Sequence, residues 1–133
     1  MITELISVGT EILLGNIVNT NSAYLSEKCA ELGLSVYYQT VVGDNETRMR
    51  ETIQTALDRS DIVILTGGLG PTEDDLTKEV TAEVMGMKLV EDRHSRKLME
   101  AYLEQYKKNN PTSRQWSRRE QSFSITTMAP HRD

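Results

Sequence analysis

A short apolar run that stops on a glycine turn, Asp61-Ile62-Val63-Ile64-Leu65-Thr66 and then Gly67-Gly68-Leu69-Gly70-Pro71-Thr72, constrains this chain more than any other segment. β-Branched residues without polar alternation suit a strand buried on both faces, so the segment reads as a central, parallel strand. Gly67, Gly68 and Gly70 permit positive φ and bring bare backbone amides close to a ligand, an arrangement suited to phosphate. Pro71 fixes φ, and Thr72 reads as the cap of a helix whose first turn holds Glu73, Asp74 and Asp75. Strand, glycine turn and acid-tipped helix together make a small-ligand site over Thr66–Thr72.

The acids create a tension. A helix N-terminus attracts anions, yet three carboxylates beside it repel a bare phosphate. A divalent cation resolves it, because magnesium is held by one or two carboxylates and shared with substrate phosphates. Asp74 and Asp75 are therefore candidate metal-holding or water-positioning groups. The competing reading makes them helix-capping acids that offset the dipole, and for Glu73 that reading leads.

Strands and helices alternate along the rest of the chain. Ile2–Val8 reads as a first strand, ended by Gly9, Thr10 and Glu11. After a loop from Leu14 to Thr20, a helix is predicted over Asn21–Leu32, with Leu25, Cys29 and Leu32 on its buried face and Gly33 as its stop. Ser35–Val42 reads as a second strand. Glu46–Arg59 reads as a second helix, with Met49, Ile53, Ala56 and Leu57 forming one apolar stripe. The glycine-ended strand is the third; a third helix buries Leu76, Val80 and Val84 and stops at Gly86. Met87–Val90 then reads as a short edge strand and Asp92–Tyr106 as a further helix.

This order predicts an α/β fold, a doubly wound, mainly parallel sheet with helices on both faces. Ligands in such sheets bind beyond the carboxyl ends of strands where successive connections leave in opposite directions. With the first strand between the second and third, Gly9, Thr10 and Glu11 lie beside the glycine turn. Glu11, just past a buried strand, reads as a base or metal ligand. The polar members of the first loop, Asn16, Asn19, Thr20 and Asn21, either read ligand hydroxyls or a base or serve as turn and cap residues. Asp44, at the end of the second strand, reads in the same two ways.

Composition removes several classes. At 133 residues and 38% hydrophobic, the chain has material for one core. A net charge of -5 argues against nucleic acid or an anionic membrane surface as the main partner. Cys29 is the only cysteine, so neither an internal disulfide nor a cysteine zinc site forms, which fits a reducing cytoplasm. No segment reaches transmembrane length, and no basic, apolar leader precedes the first strand. The chain also lacks a nucleophile elbow, HExxH, a Walker lysine and GxGxxG. His94, in a charged segment, and His131, near the end, are weak candidates for a base.

GTEILLGNIVNTN, VVGDN and TGGLGPTEDDLTKE, in this order and spacing, resemble the N-terminal domain of the competence/damage-inducible protein CinA family, within the molybdopterin-binding (molybdenum cofactor biosynthesis) superfamily. The resemblance covers roughly residues 1–114. It implies a three-layer α/β/α domain with the crevice placed as above, a TGG turn that binds ligand, and an essential aspartate at the position of Asp75. It further implies divalent-metal-dependent hydrolysis of the ADP-ribose pyrophosphate, with magnesium, manganese or cobalt as the metal, and a homo-oligomer. A pterin is the ligand of the related molybdopterin-binding proteins. Residues 115–133, QWSRREQSFSITTMAPHRD after Arg114, depart from the family pattern, which continues into a strand and an Asn-x-x-Gly-x-Ala-Pro-Gly loop. A change of reading frame accounts for the departure, an expectation the gene sequence decides.

Two functions follow. In the first, a cytoplasmic nucleotide pyrophosphatase, the ligand-binding residues are Gly9, Thr10, Asn21, Thr66, Gly67, Gly68, Gly70, Pro71 and Thr72. Asp74 or Asp75, with Glu11, then places a divalent ion that activates water. In the second, the same crevice is a pterin or nucleotide binding module without turnover.

Overall fold

The computed structural model describes residues 1–70, 73, 75–90 and 93–109. Met1–Leu69 and Glu73–Leu89 form one compact unit. Within it lie β1 (Ile2–Val8), α1 (Thr10–Leu13), α2 (Thr20–Glu31), β2 (Ser35–Val42), α3 (Glu46–Arg59), β3 (Ile62–Thr66) and α4 (Thr77–Val84). A second unit contains α5 (Arg93–Asn109), a helix whose last turn carries Lys107 and Lys108. Among the described residues no helix is long and apolar enough to cross a membrane.

The sheet has the order β2-β1-β3 with every pairing parallel. β1 lies between β2 and β3 and is buried along nearly its whole length, whereas a second neighbour for β3, expected as a central strand, is not found among the described residues. Among the described residues β3 pairs only with β1, and all five of its residues are half-buried. An apolar run marks a strand with hydrophobic surroundings but does not fix its rank in the sheet.

Alternate residues of β1 serve opposite layers, as the pleat requires. Ile6 and Val8 join Val42, Met49, Ile53, Ala56 and Val80 in the main core, under α3 and α4. Each of these side chains other than Ala56 contributes about 1.5–3 kcal/mol when fully withdrawn from water. Ser7 faces the other layer, where it meets Asn19 at the start of α2. That layer is more polar: Ser22 Oγ bonds Gln39 Oε1 at 2.9 Å, and Gln39 Nε2 donates to Ser26 Oγ at 2.7 Å. Helix, sheet and helix thus stack in three layers.

Caps explain where the helices begin. Asn19 Oδ1 accepts from Ser22 N, and Asn45 Oδ1 accepts from Arg48 N, each three residues on. Gly33 at φ 74° and Gly86 at φ 65° follow the ends of α2 and α4 as predicted.

Several local expectations are corrected. Thr10–Leu13 is a short helix rather than open chain. Leu32 is exposed instead of packed, because it lies past the last turn of α2 as its C-cap. Met87–Val90 is not a strand. Most consequentially for the site, α4 starts at Thr77 with Leu76 as its N-cap, so Glu73 and Asp75 precede the helix rather than occupying its first turn.

One buried charge lies within the sheet. Glu4, in the middle of β1, is fully buried and accepts from Arg59 Nε at 3.0 Å, from Arg59 Nη2 at 2.6 Å and from Ser60 Oγ at 2.9 Å. The Arg59 guanidinium also stacks on Tyr38, 3.7 Å from the ring centroid. Burial pushes the Glu4 carboxyl up, but the hydrogen bonds from Arg59 and Ser60 and the Arg59 charge outweigh it, so the group lies below its ordinary value.

Candidate functional site

The glycine turn lies directly on the end of β1. Gly67 and Gly68 take φ 85° and 64°, the left-handed region that disfavours any residue with a Cβ. A Cβ on Gly67 would overlap the carbonyl oxygen of Val8, and one on Gly68 would overlap Thr77 Oγ1 and come within 3.1 Å of Val8 Cγ1. Glycine is required twice over, for conformation and for close approach. Thr77, itself buried, locks the turn: its Oγ1 donates to Gly67 O at 2.8 Å and its N–H to Gly68 O at 3.2 Å. α4 therefore begins where the turn is fastened.

The loop after β1 closes against the end of β2. Gly9 N donates to Val42 O at 2.9 Å. Thr10 and Asp44 form a reciprocal clasp, in which Asp44 N donates to Thr10 Oγ1 at 3.1 Å. In return Thr10 Oγ1 and N donate to Asp44 Oδ2 at 3.1 and 3.4 Å. The Glu11 side chain folds back over Gly9, so closely that a Cβ there would lie 2.6 Å from Glu11 Oε1. This places a carboxylate at the carboxyl end of the central strand. Farther along, Asn19 Nδ2 donates to Ser7 Oγ at 2.8 Å, tying the far end of the loop back to β1.

The structure thus brings Gly9, Thr10 and Glu11 into one neighbourhood with Thr66, Gly67 and Gly68. Thr66 pairs with Ser7 at the last register position of β1 and β3. Asn21 is the second residue of α2 and exposed. Asp75 is half-buried in the connection to α4. Gly70 belongs to the second unit, and Pro71, Thr72 and Asp74 lie outside the described residues. His94 is exposed on α5.

Sequence reasoning missed two members. Thr77 was inside the quoted motif, but placing the helix start at Thr72 made it an interior helical residue. Ser7 sits in an apolar strand, and a lone serine at an inward position was the available signal. Among the described residues no three His, Cys, Asp or Glu side chains converge as a metal set. A dedicated protein cage is therefore not formed by them, whereas an ion shared with ligand phosphates needs only one or two carboxylates.

Residues 4–130 match the family described as "Probable molybdopterin binding domain". A competence-damage inducible protein of Alkaliphilus oremlandii is 56% identical over 102 residues, 77% of this chain and 25% of that protein. One from Streptococcus pyogenes serotype M5 is 50% identical over 130 residues, 98% of this chain and 30% of that protein. The chain spans about a quarter of the length of the curated relatives it matches. Among solved structures, the protein CinA of Thermoplasma acidophilum superposes with a TM-score of 0.72 at 35% identity, covering 77% of this chain and 61% of that one. The molybdopterin biosynthesis enzyme MoaB of Thermus thermophilus shares the fold at TM-score 0.59 and 22% identity, over 75% and 62% of the two chains. On these matches the chain belongs to the molybdopterin binding domain family, as a member of the CinA type.

Proposed function

We propose that the crevice beyond the carboxyl ends of β1 and β3 binds a phosphate-bearing pterin or nucleotide, and that this domain acts as a binding module. The observation that carries the reading is the place of the left-handed Gly67-Gly68 turn, seated on Val8 beyond the carboxyl ends of β1 and β3, where bare backbone lies beside Gly9 and Thr10 at the end of the sheet that such folds use for ligands. Membership in the molybdopterin binding domain family supports a pterin as the ligand class. The backbone amides of Gly67 and Gly68 receive the phosphate, with Gly9 and Thr10 forming the neighbouring wall. Thr66 and Asn21 are the further candidate contacts from the same unit. The clasp with Asp44 holds Thr10 in place before ligand arrives.

Glu11 and Asp75 would be the residues to hold a magnesium, manganese or cobalt ion, whose charge would offset the repulsion between these acids and the anion; Asp74, the third candidate, lies outside the described residues. The ion's chemistry would be to polarise phosphorus and lower the pKa of a bound water. Hydrolysis of ADP-ribose-type pyrophosphates is the finer reading; the molybdopterin binding domain match supports binding, which therefore leads. Calorimetric titration with ADP-ribose and with a pterin phosphate, run beside an assay for AMP release with each metal and with chelator, tests both. Binding without AMP is the expected result. Metal-dependent AMP would replace the binding module by a pyrophosphatase, and absence of any binding would overturn both.

A further inference from the structure

We infer that Asn19 is a positioning residue for the crevice, acting through Ser7 to hold in place the loop that carries Thr10 and Glu11. The loop has little else to anchor it. No residue from Thr10 to Val18 is buried, only Ile12 is half-buried, and Leu13, Leu14, Ile17 and Val18 all face outward. At its start the loop is held by the Gly9–Val42 backbone bond and by the exposed Thr10–Asp44 clasp. At its end the side chain of Asn19 makes two bonds in different directions. Its Oδ1 caps α2 by accepting from Ser22 N at 3.2 Å, and its Nδ2 donates at 2.8 Å to Ser7 Oγ, a buried group two residues before Gly9.

The carboxamide thus joins residue 19 to residue 7 and draws the two stems of the loop together. A plain helix cap needs only the first bond. The second requires a side chain that presents a second polar atom while the first caps the helix, which Asn supplies and the single hydroxyl of Ser does not. Ser22 and Gln39 steady the same turn from the β2 side, so the anchor is fixed to two strands. Loosening it releases Thr10 and Glu11 without opening the main core, which lies on the other face of the sheet.

Backbone amide hydrogen exchange of the ligand-free protein, read separately for residues 10–18 and for α2, tests the assignment. Asn19→Ser keeps a cap but cannot reach Ser7, and Ser7→Ala removes the acceptor while leaving the cap intact. Each should speed exchange in 10–18 about fivefold, the factor corresponding to one ordinary hydrogen bond, with α2 protection and Tm nearly unchanged. The double variant should show no more than either single variant, since both cut the same bond. Asn19→Asp should keep exchange as slow as in wild type, because the Ser7 hydroxyl can turn to donate to the second carboxylate oxygen. Unchanged exchange in 10–18, or effects that simply add, would overturn the inference. The consequence for ligand rests on the binding reading above: Ser7→Ala should weaken ADP-ribose binding severalfold. If wild type binds no ligand while the exchange pattern holds, the binding reading fails and the positioning of the loop stands.

Discussion

Gly67→Ala offers a stability measurement whose size can be worked from the backbone. At φ 85° any L-residue incurs about 1–2 kcal/mol for the left-handed conformation. The new methyl would in addition overlap the Val8 carbonyl oxygen, which belongs to the central strand and has no room to retreat. Forcing a methyl into such a contact costs roughly another 1–3 kcal/mol through backbone displacement. The total is about 2–5 kcal/mol. Gly33→Ala is the internal control, because Gly33 has nearly the same φ, 74°, with nothing within 4 Å of its Cβ. It should therefore show only the conformational part, about 1–2 kcal/mol. Urea unfolding of wild type and both variants, followed by circular dichroism with a common m-value, gives the difference directly. The glycine turn should exceed the control by about 1–3 kcal/mol. Equal losses at the two positions would refute the claim that the turn is pressed onto β1.

Three further outcomes follow from the same geometry. Thr77→Val, which keeps shape and removes the hydroxyl, should lower stability by about 1 kcal/mol and weaken ligand binding, because Gly67 O loses its partner; unchanged affinity would separate this bond from the site. Glu4 has a folded pKa below its unfolded value, so its contribution is complete above the unfolded pKa and is lost as pH falls through the lower folded one. Wild-type urea midpoints should accordingly fall on acidification, and Glu4→Gln should be less stable near neutrality with a shallower acid dependence; parallel profiles would exclude Glu4 as a contributor. Asp75→Asn should remove the metal dependence of ligand binding, as checked by calorimetry with magnesium and with chelator, whereas retained metal dependence would remove Asp75 from the ion's ligands.

Much of the frame was legible because several independent signals agreed. For β1, β2 and α3 the expected and observed bounds coincide, Ile2–Val8, Ser35–Val42 and Glu46–Arg59. In α3 the apolar stripe of Met49, Ile53 and Ala56, the Asn45 cap and the following strand all specify the same boundaries. The strand order β2-β1-β3 and the meeting of the two functional loops also follow the expectation. Where local signals competed, the sequence misled. Thr72 with the acids behind it has the pattern of a helix start, but Thr77 is used to fasten the turn, and α4 begins there instead. Glu4 and Arg59 are 55 positions apart, and no local pattern announces that a carboxylate inside a strand is matched by the last residue of a distant helix. The Ser7–Asn19 bond was hidden for the same reason, since its asparagine looks like any other cap.

The central claim, that the glycine turn and the end of β1 form one ligand site, is tested most directly by amide NMR of the labelled chain titrated with ADP-ribose in the presence of magnesium. The account predicts saturable shifts concentrated at Gly9, Thr10, Gly67 and Gly68. Shifts confined instead to the groove beside Glu4, Thr40 and Arg59, or no saturable shift at the four residues, would contradict it.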